Sequence, residues 1–280
     1  MLYGAMNFPV KPVLEELESL AALGFDFLEL AMDPPAAHYT AVRNQKAELL
    51  AALDRHQMHL VCHLPTFVSL ADLTDSIRQA SLAEVLKALE TAAALAVEKV
   101  VAHPAAISGM GVFVPELARQ HAIESLAIIA SKASELGVSL CLENMFPRNR
   151  FGVEVGEFRD IFNRFPTLQL TLDTGHAHIG SPRGKRIMRF IEAFADRIGH
   201  IHVSDNFGKE DNHLPIGSGT IPFTKIVAAL KKTGYDGTVT FEVFTPDREY
   251  LRLSRHKFDQ IWRGGLAIES MESLASRQYF

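Results

Sequence analysis

Cysteine, long apolar runs and an excess of charge are all scarce in this chain, and each scarcity closes off a class of protein. Cys62 and Cys141 are the two cysteines among 280 residues, each inside an apolar run (HLVCH and VSLCLEN). They read as buried thiols, which leaves no disulfide framework and no cysteine-based metal cluster. No apolar stretch approaches the roughly 18 residues that cross a bilayer, and the opening MLYGAMNFPVKPV lacks a basic segment followed by an apolar one. These absences predict a cytoplasmic chain with no membrane contact. The balance of 28 Lys+Arg against 33 Asp+Glu gives a formal charge of -5, so no broad basic field favours nucleic acid as a partner.

What is present is a steady alternation. Short β-rich runs (LYGAMN, FDFLELA, MHLVCHL, KVVAHP, VSLCLEN, LQLTLDTGH, IGHIHVSDN and GTVTFEVF) are separated by stretches with apolar residues at helical spacing. VLEELESLAALG, SLAEVLKALETAAALAV and AIESLAIIASKASELG are the clearest, and Gly24, Gly137 and Gly234 each close a helical stretch. Eight βα units without a linker predict an α/β fold of one domain, a (β/α)8 TIM barrel over residues 1–280. Residues from 247 on read as a closing helix and a C-terminal tail of about 266–280. The tail's ending, SLASRQYF, offers either a locally docked terminus or a contact to a second copy, so a homo-oligomer stays open.

His63, His103, Glu143, Asp173, His202 and Glu242 fall at or near the ends of different expected strands. In such a barrel those ends converge on one face, so residues far apart in sequence meet there. Three carboxylates aimed at one point repel each other by about 4 kcal/mol per pair at 4 Å and an effective dielectric near 20. No Lys or Arg stands at these strand ends to offset that repulsion. A divalent cation is the natural counter-charge, with His202 supplying a neutral nitrogen ligand.

Two polar segments add to the constellation. In LDTGHAHIG, Asp173 and His176 flank a turn containing Gly175, which directs both toward one cavity. In HVSDNFGKEDNHLPIGSGTIPF, a long polar loop carries Asp205, Asp211 and His213. Asp205 reads as a turn former or as a residue that orients His202. His178 and His200 read as facing the helix layer or as supports for their neighbours. SPRGKR (Ser181 to Arg186) reads as a solvated helix start rather than a phosphate handle. Phe8, Phe67, Phe113, Phe146 and Phe207 fall in loops on the expected active face, as pocket walls or as ordinary loop packing.

Taken together, LDTGH, HIHVSDN, DNHLPIGSG and the terminal FEV strand resemble the xylose-isomerase-like TIM-barrel superfamily over about residues 1–265. The resemblance implies a sugar or sugar-phosphate isomerase or epimerase that moves a proton through an enediolate. It implies Glu143, Asp173, His202 and Glu242 as ligands of a Zn, Mn, Mg or Co ion, with Glu143 and Glu242 also catalytic, and His176 touching substrate. His63, His103, His176, Asp211 and His213, added to those four, also match the three-zinc pattern of endonuclease IV, so a zinc-dependent AP endonuclease is the alternative. Glu29 in GFDFLEL, the bulky NMFPRNRFG after Glu143 and the acidic net charge favour a small-molecule sugar over nucleic acid. A barrel that only binds a sugar is a third reading. Buried carboxylates kept without their metal would be costly, which argues against it.

Overall fold

The computed structural model describes residues 1–264. Eight strands, β1 (Leu2–Met6), β2 (Phe27–Ala31), β3 (His59–His63), β4 (Lys99–Ala102), β5 (Ser139–Glu143), β6 (Gln169–Asp173), β7 (Ile198–Val203) and β8 (Thr238–Phe241), close into a barrel in sequence order. All eight pairings are parallel, including β1 with β8. This is the TIM barrel that the alternating pattern predicts, with all eight expected runs forming strands. The closing helix is also present, as α10 (Glu249–Trp262). The tail expected at 266–280 lies outside the described residues.

The helices form where apolar faces recur at helical spacing. In α1 (Val13–Ala22) the buried positions include Val13, Leu17 and Leu20, and the helix stops where Gly24 takes φ +79. The same device, a glycine at positive φ, follows α5 (Pro115–Glu135) at Gly137 and α9 (Phe223–Thr233) at Gly234. The large apolar core lies between these helices and the outward faces of the strands.

The barrel interior is a separate compartment. Phe27, Val61 and Val101 form their own small apolar cluster there. Gly4 on β1 makes room for it, because a Cβ at that position would stand 2.2 Å from the Phe27 ring. Strand residues alternate between the two faces, so the positions two above these floor residues also point inward. On β2, β3 and β4 that rule carries Glu29, His63 and His103 into the lumen. In β7 the register against β6 shifts by one at Gly199, so Leu170 pairs with Ile198 but Thr171 pairs with His200. The irregularity brings both His200 and His202 to buried inward positions.

Candidate active site

Six sequence-predicted side chains meet at the C-terminal mouth of the barrel. Glu143 and Asp173 end β5 and β6, His63 ends β3, and His202 lies in β7. His103 and Glu242 stand one residue beyond β4 and one beyond β8. His202 Nδ1 is 3.0 Å from Glu242 Oε1, 3.4 Å from Glu143 Oε2 and 3.9 Å from Asp173 Oδ2. None of these approaches is a hydrogen bond: Nδ1 of His202, Oε1 of Glu143 and Oδ2 of Asp173 are buried without a hydrogen-bond partner. Ligand atoms of Glu143, Asp173 and His202 lie within 4.8 Å of one another. Leaving such atoms unpaired costs roughly 1–3 kcal/mol each. A cation held among them would satisfy all three, so the donor set fits a divalent metal.

The remaining predicted residues extend the cluster outward. Glu143 is its hub, with His63 Nε2 at 3.4 Å, His103 Nε2 at 3.2 Å and His176 Nδ1 at 3.0 Å from its carboxylate. Asp211 stands between His176 Nε2 at 3.1 Å and His213 Nε2 at 2.9 Å. Backbone carbonyls hold the second nitrogen of three of these rings: His63 Nδ1 donates to Leu64 O, His176 Nδ1 to Asn144 O and His213 Nδ1 to Glu242 O. A carbonyl only accepts, so each ring, when neutral, turns a bare Nε2 toward the cluster. The short helix α7 (Thr174–His178) supplies the geometry for His176, because the Asp173 side chain accepts the His176 N–H as its N-cap.

Sequence reasoning missed the partner of His202. Glu29, fully buried on β2, accepts from His202 Nε2 at 3.0 Å and from His200 Nε2 at 2.9 Å, and the Thr240 hydroxyl donates to it as well. With Nε2 committed to Glu29, a neutral His202 directs the Nδ1 lone pair at the three carboxylates. Asp205 does not orient His202; its carboxylate instead accepts the backbone N–H groups of Asn206, Gly217, Gly219 and Ile221. That knot organises the loop carrying Asp211 and His213. It requires glycine at 219, where a Cβ would meet Asn206 O at 2.3 Å.

The electrostatics follow from burial against charge. Burial opposes ionisation of Glu143, yet the His202 and His103 charges outweigh it and hold the carboxyl well below its usual range. Burial also opposes ionisation of Glu29, and His202 and His200 overcome it in the same way. Asp173 goes the other way. Burial, opposed by His176 and reinforced by Glu143, Glu242 and Asp211, raises it to about 7. A surplus of carboxylates binds a proton where no cation balances it.

Residues 17–276 match the model of the xylose isomerase-like TIM barrel. The chain belongs to that family. It is 29% identical over 257 residues to an uncharacterised protein of Methanocaldococcus jannaschii, spanning 86% of this chain and 83% of that one. It is 25% identical over 249 residues to an L-ribulose-5-phosphate 3-epimerase of Shigella boydii, spanning 84% of each. Among solved structures, a D-tagatose 3-epimerase-like protein superposes with a TM-score of 0.84 at 25% identity, covering 95% of this chain and 98% of that one. The relatives thus include sugar epimerases.

In this xylose isomerase-like barrel the cluster opens upward into a cavity of about 430 Å³. His63, His103, His176, Asp211, His213 and Glu242 face it from below, and Phe8, Phe67, Phe146 and Phe244 stand among its walls. Phe113 and Phe207 do not line it and are solvent-exposed. Arg186 of the SPRGKR segment lies in the first turn of α8 (Lys185–Phe194), pairs with Glu154 at 3.0 Å and does not line the cavity. Among the described residues no helix is long and apolar enough to cross a membrane.

Proposed function

We propose that the chain is a divalent-metal-dependent sugar isomerase or epimerase, with inversion at the carbon beside a ketose carbonyl as its reaction. The observation that carries the reading is the set of buried, unpartnered donor atoms on Glu143, Asp173 and His202, next to Glu242, which itself lines a cavity sized for a small molecule. Glu143, Asp173, His202 and Glu242 are the residues that would hold Zn, Mn, Mg or Co. When bound, the ion supplies Lewis acidity toward neighbouring carbonyl and hydroxyl oxygens of the sugar.

The chain's own residues supply the proton chemistry. Glu143 ends β5 and Glu242 follows β8, and their carboxylates approach the same His202 Nδ1 from strands on either side of β7 in the barrel. Glu242 takes the C–H proton, leaving an enediolate, and Glu143, protonated at the start of that turnover, gives its proton to the opposite face; exchange with water then deprotonates Glu242 and reprotonates Glu143, and the reverse reaction exchanges the roles. Positioned transfer of this kind contributes typically about 10²- to 10⁴-fold in rate. His202 and His103 hold Glu143 ionised for its turn as base, and the aromatic walls narrow the access of water.

A second reading, a zinc-dependent AP endonuclease, is favoured by one observation. His63, His103 and Glu143 bring ligand atoms within 4.8 Å of one another, as a further metal would need. Among the described residues the cavity lining offers no Lys or Arg for a phosphate backbone, which weighs against it. Metal analysis combined with proton NMR in D₂O tests both. The sugar reading expects one essential ion per chain and deuterium wash-in beside the carbonyl of a ketose, abolished by chelation. Three zinc ions with cleavage of abasic duplex, and no exchange across a panel of ketoses, aldoses and hydroxypyruvate, would replace it.

A further inference from the structure

The metal-dependent sugar reading leaves the far end of the substrate open, and the cavity chemistry speaks to it. We infer that the substrate is an unphosphorylated sugar, gripped away from its reacting carbons by aromatic rings and the Asp33 carboxylate. The inference rests on the isomerase or epimerase reading and narrows it.

A phosphate group brings a charge of about −1.5 to −2 and acceptor oxygens, so it needs cationic or N–H donors. Among the described residues, those lining the cavity include neither Lys nor Arg and do include Asp33, Asp211 and Glu242. Three arginines on the surrounding segments are paired elsewhere: Arg248 with Glu16 at 2.9 Å, Arg186 with Glu154 at 3.0 Å and Arg119 with Glu157 at 2.6 Å, while Arg148, Arg150 and Lys209 are exposed to solvent and are not among the lining residues. The histidines are spent too. His176 and His213 both turn Nε2 to Asp211, and both give Nδ1 to a backbone carbonyl. Asp33, Asp211 and Glu242 present carboxyl groups to the cavity rather than donors an anion could use. Similarity to a sugar-phosphate epimerase therefore does not carry its phosphate over to this chain.

The walls suit a neutral sugar. Phe8 leans on Phe244 at 6.1 Å between centroids, Phe146 on His176 at 5.1 Å, and Phe67 stands 90% exposed at the mouth. Aromatic faces cover the C–H faces of a sugar while leaving its hydroxyls to polar partners. Asp33 is the polar partner at that level. It is only 4% exposed, its Oδ1 accepts the Thr66 N–H at 3.0 Å, and the residue is one of those lining the cavity. Such a group accepts from sugar hydroxyls and repels a phosphate.

The test uses metal-loaded full-length protein and two matched pairs. Ribulose against ribulose 5-phosphate is followed by exchange in D₂O, and ribitol against ribitol 5-phosphate by calorimetry, which needs no turnover. The expected result is a preference of about 10²-fold in kcat/KM for the free ketose and of at least about 10-fold in affinity for the free polyol. Equal or reversed preference in the polyol pair overturns the inference, as does failure of both polyols to bind. If neither ketose exchanges while free ribitol still binds better, the substrate inference stands and the epimerase reading falls. If exchange is seen with the phosphate preferred, the epimerase reading stands and this one falls. Phe67→Arg places a cation on an already exposed site and is expected to move the ketose preference toward the phosphate ester by about 10-fold. Asp33→Asn should raise KM for the free ketose more than it lowers kcat. An unchanged preference in Phe67→Arg together with an unchanged KM in Asp33→Asn would also count against the inference.

Discussion

The two ring nitrogens of His202 face carboxylate clusters that are equally buried and oppositely arranged. On the Nε2 side Glu29 receives the His202 and His200 rings and the Thr240 hydroxyl, and His200 Nδ1 in turn meets the Thr238 hydroxyl at 2.6 Å. No side-chain atom of Glu29 or His200 there lacks a partner. On the Nδ1 side three carboxylates crowd within 4 Å of the nitrogen, and hydrogen-bond geometry fails at each. A buried polar cluster that is fully paired is framework. One that is close-packed yet unpaired is shaped for something else to bind, and the contrast across a single imidazole ring separates the two cases.

The largest effect should come from the unpaired side. Glu242→Gln keeps the size of the side chain and one oxygen donor but cannot accept a proton. Turnover is expected to fall by about 10²-fold or more, some 2.7 kcal/mol, with metal still bound. Deuterium wash-in should vanish at one face of the substrate carbon, and Glu143→Gln should remove it at the other. Wild-type turnover in Glu242→Gln at full metal occupancy would break the two-glutamate assignment.

Which parts of this contrast the sequence revealed depends on how far apart the partners lie and where they sit on a strand. Period-two alternation and the convergence of strand ends were enough to collect His63, His103, Glu143, Asp173, His202 and Glu242, because each sits at the tip of its own apolar run. Glu29 stands two residues below the tip of β2, and its bond to His202 spans 173 positions. The available signal was a carboxylate in phase with Phe27 inside FDFLELA, a position no chain buries without a partner. Asp205 was harder. Its four backbone donors come from a loop whose path no periodicity describes, so only its role as a turn former could be anticipated. For the phenylalanines, residence in loops on the active face did not distinguish Phe67, which lines the cavity, from Phe113 and Phe207, which do not.

Removing the metal should come next in size. An ion bound only by the folded chain stabilises it by about 2.7 kcal/mol at a free concentration one hundred times Kd. For a chain of this size that corresponds to several degrees in Tm. Chelation should lower the wild-type Tm accordingly, and His202→Ala should lower ion content and Tm together. A Tm unmoved by verified removal of the ion would contradict a metal-centred floor.

The paired side should respond through the ion rather than through chemistry. Glu29→Gln retains the bulk but weakens the acceptor for His202 Nε2, so the ring loses the group that fixes its tautomer and orientation. Loss of such a supporting partner typically lowers metal affinity by about 10- to 100-fold. The expected signature is a raised metal requirement with turnover largely recovered at saturating ion, measured by titrating metal into the chelated variant. A turnover loss that excess metal does not repair would place Glu29 in the proton chemistry and erase the distinction between the two sides.

The smallest effect is expected at the outer edge, where Asp211 bridges His176 and His213. Neither Asp211 nor His213 belongs to the Glu143, Asp173 and His202 group, so replacing both with Ala should leave that floor ion bound. Asp211 is held well ionised, since the hydrogen bonds from His176 and His213 outweigh its burial. Its removal frees the His176 ring, still anchored through Nδ1 to Asn144 O, to turn Nε2 toward substrate or water. KM should rise by roughly the net worth of one hydrogen bond, about 0.5–1.5 kcal/mol. Elemental analysis of the double variant decides what this edge does. An unchanged ion count with a raised KM makes it a wall of the sugar pocket. A count lower by one per chain makes it a ligand pair for a second ion, and the nine residues would then act as a single multi-metal site.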